Sequence, residues 1–241
     1  MEMGKTLSDH VVVSIFVNPT QFGPNEDLAA YPQDEARDLA LTRNIGVDAV
    51  FLPDVVQMYP KGHQTVVSLT DLPYHLCGLS RPGHFDGVTT IVSKLLGIVK
   101  PHTAIFGKKD YQQLAIIRQM VNDLEMDVDI VGADIVREPD GLAMSSRNMY
   151  LTDSQRQSAA SLYRALLASR QMVKQGATDP AVVIQAAESI INAQPHTRID
   201  YVAICDPRTL ADVSAISGSV LMAVAVNVGQ ARLIDNLLLS A

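Results

Sequence analysis

The sequence predicts a doubly wound α/β domain followed by a smaller α+β domain, and two observations support this. First, short runs of β-branched apolar residues alternate with segments whose apolar residues recur at helical spacing. Strands that are apolar throughout and alternate with helices are typical of a parallel sheet covered on both faces. Second, the pattern after about residue 134 changes to helices followed by clustered strands, which indicates an α+β domain. The 241 residues suffice for both domains, and we place them at 1–133 and 134–241.

The first domain contains four apolar runs that we predict to be strands. They cover residues 11–17, 48–52, 103–106 and 128–131. Helical stripes between them begin at Ala36, Val88 and Leu114. We expect Gly46 to end the first of these helices and Asp86 to cap the second. Ligands of such sheets bind beyond the carboxyl ends of the strands, so the loops there are candidate binding sites.

The second domain begins with a capping-box pattern, because Thr152 is followed three residues later by Gln155. We expect one long helix from there to about Lys174. A second helix should follow Pro180 and end near Ala193. The predicted strands of this domain are 200–205, 219–226 and 231–235.

The composition excludes several classes of protein. Nineteen Lys and Arg residues against 26 Asp and Glu residues give a net charge of −7, which argues against a nucleic-acid coat or a binder of anionic membranes. Cys77 and Cys205 lie far apart and form no CxxC pair, so we expect free thiols and no metal site. The chain has no apolar run of membrane-spanning length and no signal-peptide pattern. We therefore expect a cytoplasmic protein without a nucleic-acid or membrane partner.

Four polar clusters fall where a loop should meet the end of a strand or helix. They are residues 18–24, 80–87, 107–110 and 144–148. The amides of Asn18 and Gln21 can donate and accept, which suits a ligand with hydroxyl and carboxylate groups. Taken alone, the same residues also fit an ordinary Pro/Gly turn with solvated side chains. The second cluster precedes a helix whose N-terminus could accept an anion.

The third and fourth clusters together predict a nucleotide triphosphate site. Gly107 lets backbone approach a ligand closely, and a lysine at the end of a strand is a compact cation for a phosphate. Asp110 could bind a ribose hydroxyl. The hydroxyls and guanidinium of 145–147 can hold phosphate oxygens through charge-assisted hydrogen bonds. The sequence contains neither GxGxxG nor GxxxxGK[ST], so this site has no Walker loop.

The four clusters, in this order, closely resemble the pantothenate synthetase (pantoate–β-alanine ligase) family. The segments that carry the resemblance read VVSIFVNPTQF at 12–22, SRPGHF at 80–85, GKKDYQQ at 107–113 and MSSRN at 144–148. The resemblance implies a nucleotidyltransferase-like α/β domain with a smaller C-terminal lid, and a homodimer. It also implies that ATP and pantoate form pantoyl adenylate, which then reacts with β-alanine and releases AMP.

The resemblance also assigns roles to individual residues. Lys109 and Arg147 would be the catalytic pair at the phosphates. The substrate-binding residues would be Gln21, Gln113 and Asn18. The ATP-binding residues would be Gly107, Lys108, Lys109, Asp110, Val136, Met144, Ser145, Ser146 and Arg147. Mg²⁺ would arrive with ATP, held mainly by phosphate oxygens and water.

One family loop, of the form P-T-M-G-x-L-H-x-G-H, has no match in this sequence. Its histidines face the triphosphate, and one is regarded as the catalytic acid. An intact downstream site without the strand before that loop is hard to reconcile with a folded product. We therefore expect Met1 or Met3 to be an internal methionine of a longer enzyme, and impaired or absent ligase activity for the 241-residue chain. Two alternatives stay open. In the first, the chain is a genuine product that either binds ATP or pantoate without catalysis or borrows a strand from a partner. In the second, it is another adenylyl-transferring enzyme of the same fold.

Overall fold

The computed structural model describes residues 1–24, 26 and 28–240, and their contacts form two units. The first unit comprises Met1–Tyr74, Gly78–Phe106 and Gln113–Ala133. The second comprises His75–Cys77, Gly107–Gln112 and Asp134–Ala241. This division differs from the predicted domain limits in one respect, because two short segments before residue 133 cluster with the C-terminal part of the chain.

The chain up to residue 133 alternates short strands with helices. Its helices are α1 (Glu2–Leu7), α2 (Glu35–Ile45), α3 (Val55–Met58), α4 (Cys77–Ser80), α5 (His84–Val99) and α6 (Tyr111–Asp123). Its strands are β1 (Val12–Ser14), β2 (Ala49–Phe51), β3 (Thr103–Gly107) and β4 (Asp129–Ala133). β1 and β2 pair in parallel, with Val12 opposite Ala49, while β3 and β4 form a second two-stranded sheet.

All four strands predicted in this part of the chain are present, but β1 is shorter than the predicted run. The N–H of Ile15 still donates to the carbonyl of Phe51 at 3.0 Å. Beyond it the chain leaves the sheet and enters a 3₁₀ turn at Pro19, which has no N–H to donate to a ladder. The first cluster of polar residues therefore starts close to the end of β1, as expected.

The helices of this part agree with the prediction at the end of α2 and differ from it at the start of α5. Gly46 ends α2 in the left-handed region, at φ 76°. Helix α5 begins at His84, four residues before the predicted stripe, and Gly83 is its N-cap. The prediction that Asp86 caps this helix is wrong. Asp86 lies in the first turn, where its carboxylate accepts a hydrogen bond from the Ser68 hydroxyl at 2.6 Å.

The second unit is built on a three-stranded antiparallel sheet of β5 (Thr197–Cys205), β6 (Ser219–Val228) and β7 (Ala231–Ser240). Its helices are α7 (Asp153–Ala159), α8 (Ser161–Lys174) and α9 (Pro180–Asn192). β6 is the central strand and is buried along almost its whole length. Leu162 and Leu166 of α8 and Ile191 of α9 are fully buried in the same apolar cluster as the sheet. This core gives the polar residues of β7 a rigid support.

The capping box of the second unit is confirmed, but the long helix after it is two helices. The Thr152 hydroxyl accepts the N–H of Gln155, and the Gln155 side chain accepts the N–H of Thr152. The helical segment then breaks at residue 160. Near the break the Ser158 hydroxyl donates to the carbonyl of Ser154 at 3.2 Å, a side-chain bond that bends helices by competing with the backbone ladder.

β7 is twice as long as its predicted counterpart, which ended at residue 235. The apolar run stops there because of Asp235 and Asn236, yet both of these side chains are buried inside the unit. Separately, no helix within residues 1–24, 26 and 28–240 combines the length and the apolar character needed to cross a membrane.

Candidate functional site

The first candidate cluster is the amide turn, residues 18–21, which follows β1. Asn18 is only 2% exposed and uses its amide fully. Its Nδ2 donates to the carbonyl of Gly87 at 3.0 Å and to Oε1 of Gln21 at 3.3 Å. Its Oδ1 accepts from the hydroxyls of Thr20 and Tyr59 at 2.9 and 2.8 Å. The predicted binding residue Asn18 is therefore placed to hold Gln21 in position.

The backbone of α5 lies directly against the amide turn at Gly87. A methyl group built at this glycine would lie 2.5 Å from the carbonyl oxygen of Thr20 and 2.7 Å from the nitrogen of Gln21. Both are backbone atoms that cannot rotate away. The absence of a side chain at residue 87 is therefore what lets the helix and the turn approach this closely.

A charged network holds the carbonyl of Gln21 from the other side. Arg81 donates through Nε to Glu26 at 2.7 Å and through its terminal nitrogen to the second carboxylate oxygen at 2.5 Å. The same guanidinium reaches the Gln21 carbonyl at 3.4 Å. Burial raises the pKa of Glu26, but hydrogen bonding and charge from Arg81 outweigh it and leave that pKa below its usual value.

The ring of His84 completes this network through both of its nitrogen atoms. Its Nδ1 lies 2.7 Å from the Gln21 carbonyl, and its Nε2 lies 3.0 Å from a guanidinium nitrogen of Arg81. A carbonyl only accepts and a guanidinium only donates. The Nδ1 of His84 therefore donates in its contact with the Gln21 carbonyl. The sequence pattern indicated only a helix terminus here and gave no sign of this positioning role.

Gln113, the other predicted substrate amide of the first unit, lies in α6 and is half-buried. Across the described residues its side chain has no hydrogen-bond partner, and no hydrogen bond joins it to Gln21. The Gln113 amide can therefore bind a ligand, whereas the Asn18 amide is fully used in hydrogen bonds within the protein.

The next candidate cluster is the lysine turn, residues 107–110, which belongs to the second unit. Gly107 ends β3, and the next three residues form a 3₁₀ turn. Lys108 makes an ion pair of 2.5 Å with Asp134, and this pairing lowers the pKa of Asp134. Lys109 is more enclosed, with 21% of its side chain exposed, and its Nζ is 4.0 Å from a carboxylate oxygen of Asp110. The two lysines therefore have different surroundings.

A hairpin formed by residues 136–144, the Gly141 hairpin, brings together two predicted parts of the nucleotide site. The N–H of Met144 donates to the carbonyl of Val136 at 2.9 Å. Both of these side chains are exposed, Val136 at 64% and Met144 at 55%. The chain then enters the predicted phosphate segment, where the Ser145 hydroxyl accepts the N–H of Arg147 and caps the turn that contains Ser146.

Arg137 fixes the Gly141 hairpin to the core of the second unit. Its guanidinium binds both carboxylate oxygens of Asp235, at 2.6 and 2.9 Å, and donates to the carbonyl of Gly141 at 3.0 Å. It also lies 3.8 Å from the ring centre of Tyr163. Burial raises the pKa of Asp235, and Arg137 offsets part of that effect. The contacts hold the hairpin through β7 and α8.

A second network supports both strands of the Gly141 hairpin. The Nδ2 of Asn148 donates to Glu138 at 2.6 Å and to the carbonyl of Ala143 at 3.1 Å. Glu138 also pairs with Arg156, whose hydrogen bond lowers the pKa of Glu138. These contacts are buried or half-buried, so the hairpin has a fixed base and an exposed outer face.

Arg137, Asp235 and Asn236 support the candidate site through these contacts, and the sequence patterns did not single them out. A signal was present, since an Asp-Asn pair interrupts the apolar strand pattern of residues 231–239. Charged residues are rarely buried unless they are paired. Such an interruption therefore indicates a partner elsewhere in the chain, but it does not identify that partner.

Comparisons with known sequences place this geometry in context. The sequence model of the family described as Pantoate-beta-alanine ligase matches residues 1–238. A pantothenate synthetase from Desulfatibacillum aliphaticivorans is 57% identical over 98% of this chain and 84% of its own length. One from Moorella thermoacetica is 56% identical over 96% of this chain and 82% of its own length.

Solved structures give the same result. A pantothenate synthetase from Thermus thermophilus has a TM-score of 0.95 and 47% identity, covering 98% of this chain and 86% of that chain. A pantoate-beta-alanine ligase from Francisella tularensis, complexed with beta-gamma ATP and beta-alanine, has a TM-score of 0.77 and 32% identity. That comparison covers 98% of this chain and 82% of the other.

The close approach at Gly87 can be tested with two alanine substitutions in the same helix. Gly87→Ala should lower the free energy of unfolding by about 1–3 kcal/mol, because the added methyl group overpacks against backbone atoms. Gly97→Ala is the matched control, since nothing lies within 4 Å of a methyl group there. It should be neutral or stabilise by about 0.4–1 kcal/mol. Urea denaturation measures both, and equal effects would contradict the close approach.

The Glu26–Arg81 pair makes stability depend on pH. Because the pKa of Glu26 is lowered in the folded protein, its ionised form stabilises the native state above the unfolded pKa. This contribution is lost as the pH falls through the folded pKa. Glu26→Gln should therefore cost about 1 kcal/mol near neutral pH, and this cost should shrink as acid protonates Glu26 in the folded protein. Urea denaturation across this range checks the trend, with the exposed Glu125→Gln as a control. A cost that does not change with pH would refute it.

Proposed function

This chain belongs to the pantoate-beta-alanine ligase family, and from that premise we propose how its two clusters serve the ATP-dependent condensation of pantoate with β-alanine. A carboxylate is a poor acyl donor, and activation by ATP divides one difficult step into two easier ones. The family match, and the ATP and β-alanine named for the Francisella structure, support the ligase over a binding-only product.

The reaction proceeds through an adenylate. A carboxylate oxygen of pantoate attacks the α-phosphorus of ATP, the bond to pyrophosphate breaks, and pantoyl adenylate forms. The amine of β-alanine then attacks the acyl carbon, the bond between that carbon and the phosphate oxygen breaks, and AMP leaves. The released ammonium proton passes to solvent or base. The protein's task is positioning and stabilisation of charge at the α-phosphate.

The observation that carries our assignment of the nucleotide is the Gly141 hairpin. It joins Val136, assigned by resemblance to adenine, to the segment 144–147, assigned to the phosphates. In this assignment the hydroxyls of Ser145 and Ser146 and the guanidinium of Arg147 bind phosphate oxygens. Met144 borders the nucleotide with its exposed side chain.

The lysine turn would supply the other part of the nucleotide site. Gly107 lets its backbone approach ATP, Asp110 binds a ribose hydroxyl, and Lys109 stabilises the charge on the phosphates. We assign the principal role to Lys109 because its side chain is the more enclosed, 21% exposed against 42% for Lys108. The catalytic pair would then be Lys109 and Arg147.

The amide turn would serve the organic substrates. Gln21 would bind pantoate and border the β-alanine site, with Gln113 as a second ligand of pantoate. Gln21 is held at its carbonyl by Arg81 and His84, and at its side chain by Asn18. An amide fixed in this way loses little conformational entropy when it binds a substrate.

The remaining features of the proposal rest on the family. Mg²⁺ would neutralise charge on the triphosphate, held by phosphate oxygens and water. Residues 1–24, 26 and 28–240 contain no group of three or more His, Cys, Asp or Glu side chains that could hold a metal ion. We also propose that the protein is a cytoplasmic homodimer. Within each chain, we propose that the strands of the first domain belong to one doubly wound parallel sheet.

The role of Lys109 predicts a large effect on the first half-reaction. Lys109→Ala should slow pantoate-dependent exchange between ATP and pyrophosphate by about 10²–10³-fold, since it removes a charge that stabilises the transition state. Lys174→Ala, at the exposed end of α8, removes the same charge elsewhere and should leave the rate unchanged. Unchanged exchange in Lys109→Ala would show that the phosphate assignment is wrong.

The role of Gln21 predicts a different pattern. Gln21→Ala should raise the KM for both pantoate and β-alanine by roughly 3–10-fold, which is the usual cost of one neutral hydrogen bond, and leave the KM for ATP unchanged. Steady-state kinetics with each substrate varied in turn measures this. Gln185→Ala, an exposed glutamine of α9, is the control. A selective rise for ATP would contradict the assignment.

A further inference from the structure

One side chain of β7 makes an unusual double contact with the lysine turn. Asn236 is 6% exposed and lies opposite Ala223 of the central strand β6. Its Nδ2 donates to the carbonyl of Lys108 and to the carbonyl of Lys109, both at 2.9 Å. An amide nitrogen carries two hydrogens, so both of its donors are used on two consecutive carbonyls of one turn.

These two bonds constrain the backbone on both sides of a single residue. The carbonyl of Lys108 belongs to the peptide plane before the α-carbon of Lys109, and the carbonyl of Lys109 belongs to the plane after it. Each plane is rigid, so fixing both carbonyl directions restricts φ and ψ of Lys109. The direction in which its side chain leaves the backbone is thereby fixed as well.

The neighbour of Asn236 shows that β7 holds both parts of the nucleotide site. Successive side chains of a strand point to opposite faces. Asp235 holds Arg137 and through it the Gly141 hairpin, whereas Asn236 holds the lysine turn. The N–H of Asn236 also donates to the Asp235 carboxylate at 2.8 Å. Two adjacent residues on a strand supported by the core therefore fix both segments.

We propose that Asn236 is a positioning residue that sets the orientation of Lys109 for the transfer of the adenylyl group. The proposal rests on the function assigned above to Lys109. An apolar side chain at residue 236 would leave two carbonyls without these donors, and an acidic one would face them with like charge. The amide satisfies both carbonyls and directs the lysine.

The test is a double-mutant cycle between the two residues, read out by pantoate-dependent exchange between ATP and pyrophosphate. Asn236→Ala should slow exchange by about 10–100-fold in the wild-type background. In the Lys109→Ala background it should change the rate by less than about twofold, because the group that it positions is already gone. A purely structural role would lower the rate by the same factor in both backgrounds.

Asn227→Ala is the matched control. This asparagine lies on β6, and its amide donates to the carbonyl of Arg198, outside both nucleotide segments. It should leave exchange unchanged in either background. Asn236→Ser is a second variant that keeps one donor, and its rate should lie between those of Asn236→Ala and the wild type. Circular dichroism establishes that each variant is folded.

Three results would overturn the proposal: an unchanged rate in Asn236→Ala, equal losses in both backgrounds, or loss of the fold in both Asn236 variants. Failure of the proposed function would be distinguishable from failure of this proposal. If the assignment of Lys109 is wrong, the Lys109→Ala single variant will exchange ATP and pyrophosphate at the wild-type rate. In that case any loss of exchange in Asn236→Ala would not arise from a change in the position of Lys109.

Discussion

The ion pair between Arg137 and Asp235 is the interaction on which the second unit's site depends. It is bidentate and almost dry at the carboxylate, whose side chain is 2% exposed. Removing charges from water is costly, and a buried pair of this kind often contributes less to stability than apolar residues of the same size. Its value here is geometric. A guanidinium that binds a carboxylate in a fork and stacks on Tyr163 specifies one position for the Gly141 hairpin.

The first unit solves the same problem with less charge. The amide turn is fixed by Asn18, which is fully hydrogen-bonded, and by the ring of His84. The charged members, Glu26 and Arg81, neutralise each other at its edge. In both units hydrogen bonds and ion pairs within the protein hold the groups assigned to substrates, although the buried Oδ1 of Asn148 has no hydrogen-bond partner among the described residues. Such an arrangement orients binding groups before a ligand arrives, which lowers the entropy lost on binding.

Local sequence rules predict most of the elements, and their failures have identifiable causes. Periodicity finds β2, β3 and β4 and the helices α2 and α6 because their apolar residues follow one simple period. The same periodicity ends β7 at residue 235. It carries no information on the partners of Asp235 and Asn236, which lie about 100 residues away in the chain. The same limit explains the wrong cap at Asp86. The turn at Gly83 starts α5 earlier, and the Asp86 carboxylate accepts a hydrogen bond from the Ser68 hydroxyl. The motifs locate the candidate site, but long-range contacts decide which of its residues bind and which position others.

The two adjacent lysines illustrate that distinction. Lys108 and Lys109 are adjacent in sequence and carry the same charge in one short turn. Lys108 extends toward Asp134, whose side chain is 88% exposed, and a pair in such surroundings is weak and screened by salt. This ion pair can hold the edge of the turn, but it does not fix the orientation of the Lys108 ammonium group. Lys109 leaves the backbone between two carbonyls held by one buried amide, so its starting direction is fixed by the core of the second unit. Stabilisation of developing charge depends on groups already in place before the reaction, and of the two lysines only Lys109 has that support.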